Sequence, residues 1–337
     1  MNPAVRDRYI RWAIVCLLVL NACWVFLPSY FITMDGWAHL QIARMLMAGP
    51  DGHVFCQNPG TVPNQTAYWI LGALQTIMPA LVAERVLLAL IVLGLGLGTW
   101  MLMRAHGEGN ALALLVLPFT YNFLLVLGFQ NFLLGVALAL VFGALWVRME
   151  RLRWTAVVLF VLASFLLFYT HPMAVALFFL LCGGHELAVL SRVADRDRTG
   201  PLGKPWVALP VLLLACVPAV IAILRFNASQ KGFAVDVDRA LNLRELIDLR
   251  SLTWFGGPEE QKFTYAMKLI LVGAGLLAVV HRSLRTDGAR LRVERGDTLL
   301  ALTVIVLAAY FLLPDSNGYA SYITVRLQLI GLLLFIA

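Results

Sequence analysis

Apolar stretches long enough to cross a bilayer follow one another along almost the whole chain, near residues 9–29, 82–103, 111–127, 130–147, 154–169, 172–191, 207–225, 265–281, 298–313 and 323–337. No other feature narrows the possible folds so far. In hydrocarbon every backbone N–H and C=O must find its partner within the protein, so only helices and closed barrels span. A spanning helix needs about 20 residues that are predominantly apolar, and these runs are of that kind. Hydrophobic residues make up 61% of the 337 and charged residues 13%, with a mean hydropathy of +0.83; a soluble domain carries about 25% charge. The sequence predicts an all-α, polytopic integral membrane protein of about ten spans, forming a single membrane domain over residues 1–337.

Charge placement sets the expected orientation. Arg6, Arg8, Arg11, Arg104, Arg148, Arg151, Arg153, Arg192, Arg196 and Arg198 fall on short connections, and clusters such as RMERLR and RVADRDR resist translocation. Keeping them inside puts the N-terminus inside, as in a protein of a bacterial cytoplasmic membrane. It also requires that segment 66–79, which is apolar but short and ends at Pro79, lie in the interface rather than cross. Two outer loops result, 30–81 and 226–264. The first run is read as a retained span rather than a cleaved signal, because no small-x-small site follows it. The last run stops at Ala337, short of a full span, as a fragment of a longer chain would. The net charge of +7 is spread over separate loops, which excludes a nucleic-acid partner. Five cysteines, four of them within apolar runs, give no disulfide framework.

The chemistry-bearing residues cluster at the expected outer ends. In Met34-Asp35-Gly36-Trp37-Ala38-His39-Leu40, Asp35 and His39 are four apart and share one face of a helix. Asp35 can serve as a proton acceptor or simply as a helix N-cap; Trp37, Leu40 and Leu46 suit an interfacial helix. Asn122, Gln130 and Asn131 flank the hairpin between spans three and four, where amides either bind substrate or cap helix ends. His171, beside Pro172, is an ionisable residue at membrane depth. Arg326 lies one or two turns into the last run, where it either snorkels to the interface or holds an anionic lipid phosphate.

Several other chemistries lack their signatures. His185-Glu186 is followed by no second histidine at zinc spacing, and there is neither a P-loop nor a C-x-x-C pair. Asp236-Val237-Asp238 is a bare D-x-D, a short match more in keeping with a solvated loop. No clear metal site is expected. The sequons at Asn64 and Asn227 matter only in a cell that glycosylates proteins.

The arrangement resembles the GT-C superfamily of membrane glycosyltransferases. The likeness lies in an N-in first span, a long first outer loop with two interfacial helices, short connections up to span seven, a larger outer loop after it, and the helix DGWAHLQIARMLMAG with an acidic residue at its start. The resemblance implies an inverting transfer of a sugar from a polyprenyl-phosphate donor to a glycan, lipid or protein acceptor. It implies Asp35 as base and Arg326 as the cation on the donor phosphate, with His39 or His171 orienting either partner. The chain departs from metal-using members in carrying Asn122, Gln130 and Asn131 where they carry an acidic pair, which puts a bound divalent metal in doubt. A lipid or amphiphile transporter, or a non-catalytic protein of the same shape, is the alternative expectation; the lack of internal repeats weighs against transport.

Overall fold

The computed structural model describes residues 3–28, 33–49, 62–107, 110, 113–149, 153–191, 204–229, 236–253, 256–285, 296–316 and 320–337. Cys56, Arg151, the 192–203 connection and Asn317-Gly318-Tyr319 lie outside the described residues. Everything regular among those described is helical: α1 (Pro3–Cys23), α2 (Gly36–Ala48), α3 (Thr66–Gln75), α4 (Ala80–Ala105), α5 (Leu117–Thr120), α6 (Phe123–Leu127), α7 (Gln130–Arg148), α8 (Trp154–Thr170), α9 (Pro172–Leu190), α10 (Pro205–Ala228), α11 (Arg239–Ile247), α12 (Pro258–Arg285), α13 (Asp297–Leu312) and α14 (Ile323–Ile336).

Among the described residues, five helical segments are long and apolar enough to cross a membrane: Val5–Phe26, Ala80–Ala105, Gln130–Arg148, Pro172–Leu190 and Trp206–Ala228. Trp154–Thr170, Asp297–Leu312 and Ile323–Ile336 are apolar but shorter. The expected span at 111–127 is not one helix. It is a 3₁₀ turn over Ala113–Val116, then α5, then α6. The break is at Asn122, whose extended backbone and side-chain bond to the Leu125 N–H start a new helix rather than continue the old one. Segment 66–79 forms the short α3, as its length predicted.

Small residues set the packing. A Cβ on Gly98 of α4 would lie 3.1 Å from the Ala137 carbonyl oxygen of α7, and one on Gly135 of α7 would lie 2.7 Å from the Ala174 Cβ of α9. Such close backbones are how helices associate where apolar burial gives no advantage over lipid. The α4–α7–α9 core then buries Leu88, Ile91, Leu95, Phe132, Val136 and Phe178. Large apolar side chains such as Leu159, Leu213, Leu214 and Val304 remain exposed on the outer helices. In water such faces would aggregate; they suit contact with acyl chains.

One end of this bundle gathers the short elements. The starts of α4, α7, α9 and α14 and the end of α8 meet there. The Met34 N–H donates to the Val126 carbonyl at 2.8 Å, and the Gln65 N–H to the Tyr169 carbonyl at 2.6 Å, which ties the α2 and α3 entries to the hairpin and to α8. Helix α11 docks on α13 through a reciprocal pair: Tyr310 Oη donates to the Asn242 carbonyl at 2.6 Å, and Asn242 Nδ2 to the Tyr310 carbonyl at 3.2 Å. Gln328 of α14 receives the Ser251 N–H at 2.7 Å and donates to the Glu245 carbonyl at 2.9 Å.

Candidate functional site

Asp35 occupies the N-cap position of α2, yet its side chain accepts no capping bond and is exposed. The simple capping role is therefore not what holds this carboxylate. One turn on, His39 Nε2 meets the Gly128 carbonyl oxygen at 2.7 Å. A carbonyl can only accept, so Nε2 carries the proton and Nδ1 presents a lone pair. That Nδ1 is buried and has no hydrogen-bond partner. Burial lowers the His39 pKa, opposed by the bond to Gly128 and by the Asp35 charge. The ring also packs on Tyr68, with centroids 5.4 Å apart. Trp37 is exposed, as an interfacial anchor would be, whereas Leu40 is buried against the bundle.

Gly128 is the hub. Its φ of +93° closes α6, and a Cβ there would lie 3.0 Å from the Asp35 Cβ. Phe129 and Phe132 follow, and the Arg326 guanidinium lies over both rings, 4.5 and 5.4 Å from their centroids. Arg326 is only 5% exposed, so it does not snorkel. Its Nη1 stands 3.1 Å from His171 Nε2, its Nε has no partner, and no carboxylate among the described residues lies within ion-pair distance. Asp315 acts on it electrostatically, but Asp315 Oδ1 is held by the Thr324 N–H and hydroxyl. His171 in turn caps α9, its Nδ1 accepting the Met173 N–H at 3.1 Å. Pro172 at the first position has no N–H to compete for it.

The three amides differ in role. Asn122 is fully engaged in the hairpin, accepting from the Leu125 N–H and donating to the Phe119 carbonyl. Asn131 is equally committed, accepting from the Ala67 N–H at 2.8 Å and donating to the Asn64 carbonyl at 2.9 Å. It fixes the start of α3. Gln130 reaches Glu84 Oε1 at 3.4 Å and leaves its own Oε1 buried without a partner.

Glu84 is absent from the sequence-based candidates, although an acidic residue one turn into an apolar run is the usual signal of function in a span. It is buried in α4, accepts from Thr33 Oγ1 at 2.6 Å, and lies so close to Gly36 that a Cβ there would be 2.2 Å from its Oε1. The first turn of α2 is thus seated on a buried carboxylate. Glu245 of α11 was also missed. It is half-buried, and burial together with the nearby Asp315 raises its pKa. The D-x-D does ordinary work: Asp238 caps α11 by accepting from the Leu241 N–H. At the opposite end of the bundle, His106 and His185 meet edge to face at 6.1 Å and Trp146 Nε1 donates to Glu186 at 2.8 Å. Among the described residues, no group of three or more His, Cys, Asp or Glu is placed to hold a metal ion.

No family model, no curated protein and no solved structure matches this chain.

Proposed function

We propose that the chain is a multi-pass membrane glycosyltransferase, N-terminus inside a bacterial cytoplasmic membrane, which moves a sugar from a polyprenyl-phosphate donor to an acceptor on the outer face. The observation that carries this reading is that an exposed carboxylate with no capping bond, Asp35, and a buried arginine with no carboxylate among the described residues within ion-pair distance, Arg326, flank the same stretch, which runs from the Gly128 turn into the first turn of α7. Sugar transfer from a phosphate needs those two functions. The acceptor oxygen attacks the anomeric carbon, its proton passes to the Asp35 carboxylate, and the carbon–oxygen bond to phosphate breaks with its electron pair on the leaving phosphate. Arg326 offsets the charge that develops there. The configuration at the sugar carbon inverts. A positioned base contributes on the order of 10²–10⁴ in rate, and a preorganised cation on the leaving group adds to it.

The apolar faces supply a second support. An apolar cavity of about 290 Å³ lies between α8, α9 and α10, lined by Phe160, Phe179, Cys182, Leu212, Cys216 and Val220. It suits a hydrocarbon chain whose phosphate end is held at the bundle end.

The test is a transfer assay. Membranes with and without the protein receive labelled polyprenyl-phosphate sugars, and lipid, glycan and protein fractions are analysed for label. Protein-dependent transfer that disappears in Asp35→Asn supports the reading; turnover unaffected by Asp35→Asn refutes it.

A further inference from the structure

His171 and Arg326 face each other in a way that neither can satisfy alone. The Met173 N–H points at His171 Nδ1, 3.1 Å away, and Arg326 Nη1 stands 3.1 Å from His171 Nε2. Both neighbours are donors. A neutral imidazole has one lone pair to offer, so one of the two contacts is always donor against donor. The backbone N–H is fixed by the first turn of α9, whereas a guanidinium can swing. Nδ1 therefore keeps the lone pair, and Nε2–H is turned toward Arg326. Both side chains are at least nine-tenths buried, and Arg326 Nε is a further donor with no acceptor. The Phe129 and Phe132 rings under the guanidinium offer faces and edges but no lone pair; the Phe132 and His171 rings meet edge to face at 5.2 Å.

Two buried donors facing each other, a further guanidinium N–H with no acceptor, and the positive end of a long helix beside them together complement a compact oxyanion. We propose that His171, as its Nε2–H tautomer, is the second hydrogen-bond donor of an oxyanion site whose charge comes from Arg326, and that the helix cap on Nδ1 is the device that keeps the proton on Nε2. An anion bound between them accepts from Arg326 and from His171 Nε2–H, and removes the donor–donor contact. This rests on Arg326 as the phosphate-holding residue and gives His171 a binding role separate from its structural one. The chemistry is that of a phosphate, either free or at the head of a lipid.

Two substitutions separate the two roles. His171→Asn keeps a side-chain acceptor suited to an N-cap and deletes the Nε2 donor. His171→Gln extends an amide donor toward the Nε2 position and loses the cap. The full chain in detergent or nanodiscs is titrated with inorganic phosphate, with farnesyl phosphate and with farnesol. Expected is farnesyl phosphate affinity about tenfold weaker in His171→Asn, the scale of one hydrogen bond to a charged group, with thermal stability in the absence of ligand unchanged. Affinity equal to wild type in His171→Asn, with loss in Arg326→Gln, overturns the role of His171 and leaves the arginine clamp standing. Binding of inorganic phosphate as tight as farnesyl phosphate supports the oxyanion site and refutes a lipid-linked donor. No binding of either phosphate by the wild type overturns both. Should the Asn variant fail to fold, ¹⁵N-histidine NMR of the wild type decides. The proposal requires an unprotonated Nδ1 and a protonated Nε2 on His171 when phosphate is bound, and the reverse assignment overturns it.

Discussion

Gly128→Ala is the substitution that most directly tests how the candidate site is assembled. The glycine has a φ of +93°, and an L-residue in the left-handed region costs about 1–2 kcal/mol. A clash adds to that. The new Cβ would lie 3.0 Å from the Asp35 Cβ and 3.2 Å from the Asp35 backbone nitrogen, where carbon contacts prefer about 3.5–4.0 Å. These are not the tips of flexible side chains, so the start of α2 must retreat by about half an ångström or more. The same stretch is held to the hairpin by Met34 N–H to Val126 at 2.8 Å and by His39 to Gly128 at 2.7 Å. Straining both bonds brings the expected total to about 2–4 kcal/mol. Gly107→Ala is the control: its φ is +86°, but no atom of the described residues lies within 4 Å of its Cβ position. It should show the conformational cost alone. Unfolding midpoints of both variants in one detergent, with transfer rates measured alongside, separate the contributions. A displacement of this size at Asp35 is expected to lower transfer at least tenfold. If Gly128→Ala is no less stable than Gly107→Ala and transfers sugar at the wild-type rate, the contact between hairpin and Asp35 is not what places the carboxylate.

Asp35→Asn should cut transfer by about 10²–10⁴ while the protein accumulates normally, because the side chain makes no capping bond to lose; the readout is initial rate per folded protein. Asn131→Ala should cost about 1–3 kcal/mol of stability by stranding the Ala67 N–H, with phosphate-probe affinity unchanged, as measured by thermal unfolding and titration. His39 has its pKa below the ordinary 6.5, chiefly through burial. Below pH 6.5 the unfolded chain therefore binds more protons than the folded one, and stability falls with falling pH until the folded pKa is passed. His39→Gln should flatten that acid limb in a series of unfolding midpoints, and an unchanged limb would remove His39 as its source.

Local pattern carries some of this architecture and not the rest. The apolar run at 66–79 is too short to span, and α3 is that short. Pro172 after His171 announces a helix start, and α9 begins there. The run at 111–127 reads as one span because hydropathy is blind to what a single amide does. The Asn122 side chain closes on the Leu125 N–H, and Gly128 then turns the chain. The position of Arg326 was equally ambiguous in sequence, since snorkelling and burial need the same residue at the same depth. Only the placement of Phe129 and Phe132 beneath it decides for burial. Glu84 and Gln328 make their contacts across 51 and 77 residues, to Thr33 and Ser251. No periodicity encodes such pairs, because they arise from which helix ends the fold brings together. Asp35 stands out in sequence because it begins an amphipathic helix, but its freedom from capping is a property of the folded backbone.

The vertical distribution of polarity separates an enzyme from a transporter more sharply than the number of spans. A transporter binds its cargo near mid-membrane, between two halves of the protein. Here the buried face of α4 between Glu84 and Thr99 is Leu87, Leu88, Ile91, Val92 and Leu95. Thr99 spends its hydroxyl on the Leu95 carbonyl of its own helix. Helix α7 runs apolar from Phe132 to Ala144, and α9 from Ala174 to Cys182. The polar groups of these three helices thus lie at their ends, and a hydrophilic head group would find no hydrogen-bond partner on them halfway across. A substrate that is part lipid faces no such barrier if its head stays at the Asp35–Arg326 end and only its chain lies along the bundle. The expected outcome in sealed vesicles is that the purified protein does not move a fluorescent polyprenyl-phosphate head group from one leaflet to the other. The measurement is quenching of the outer-leaflet label by dithionite over time. Protein-dependent loss of protection that persists in Asp35→Asn would mean that a polar path opens through the α4–α7–α9 core, and would replace the transferase reading with transport.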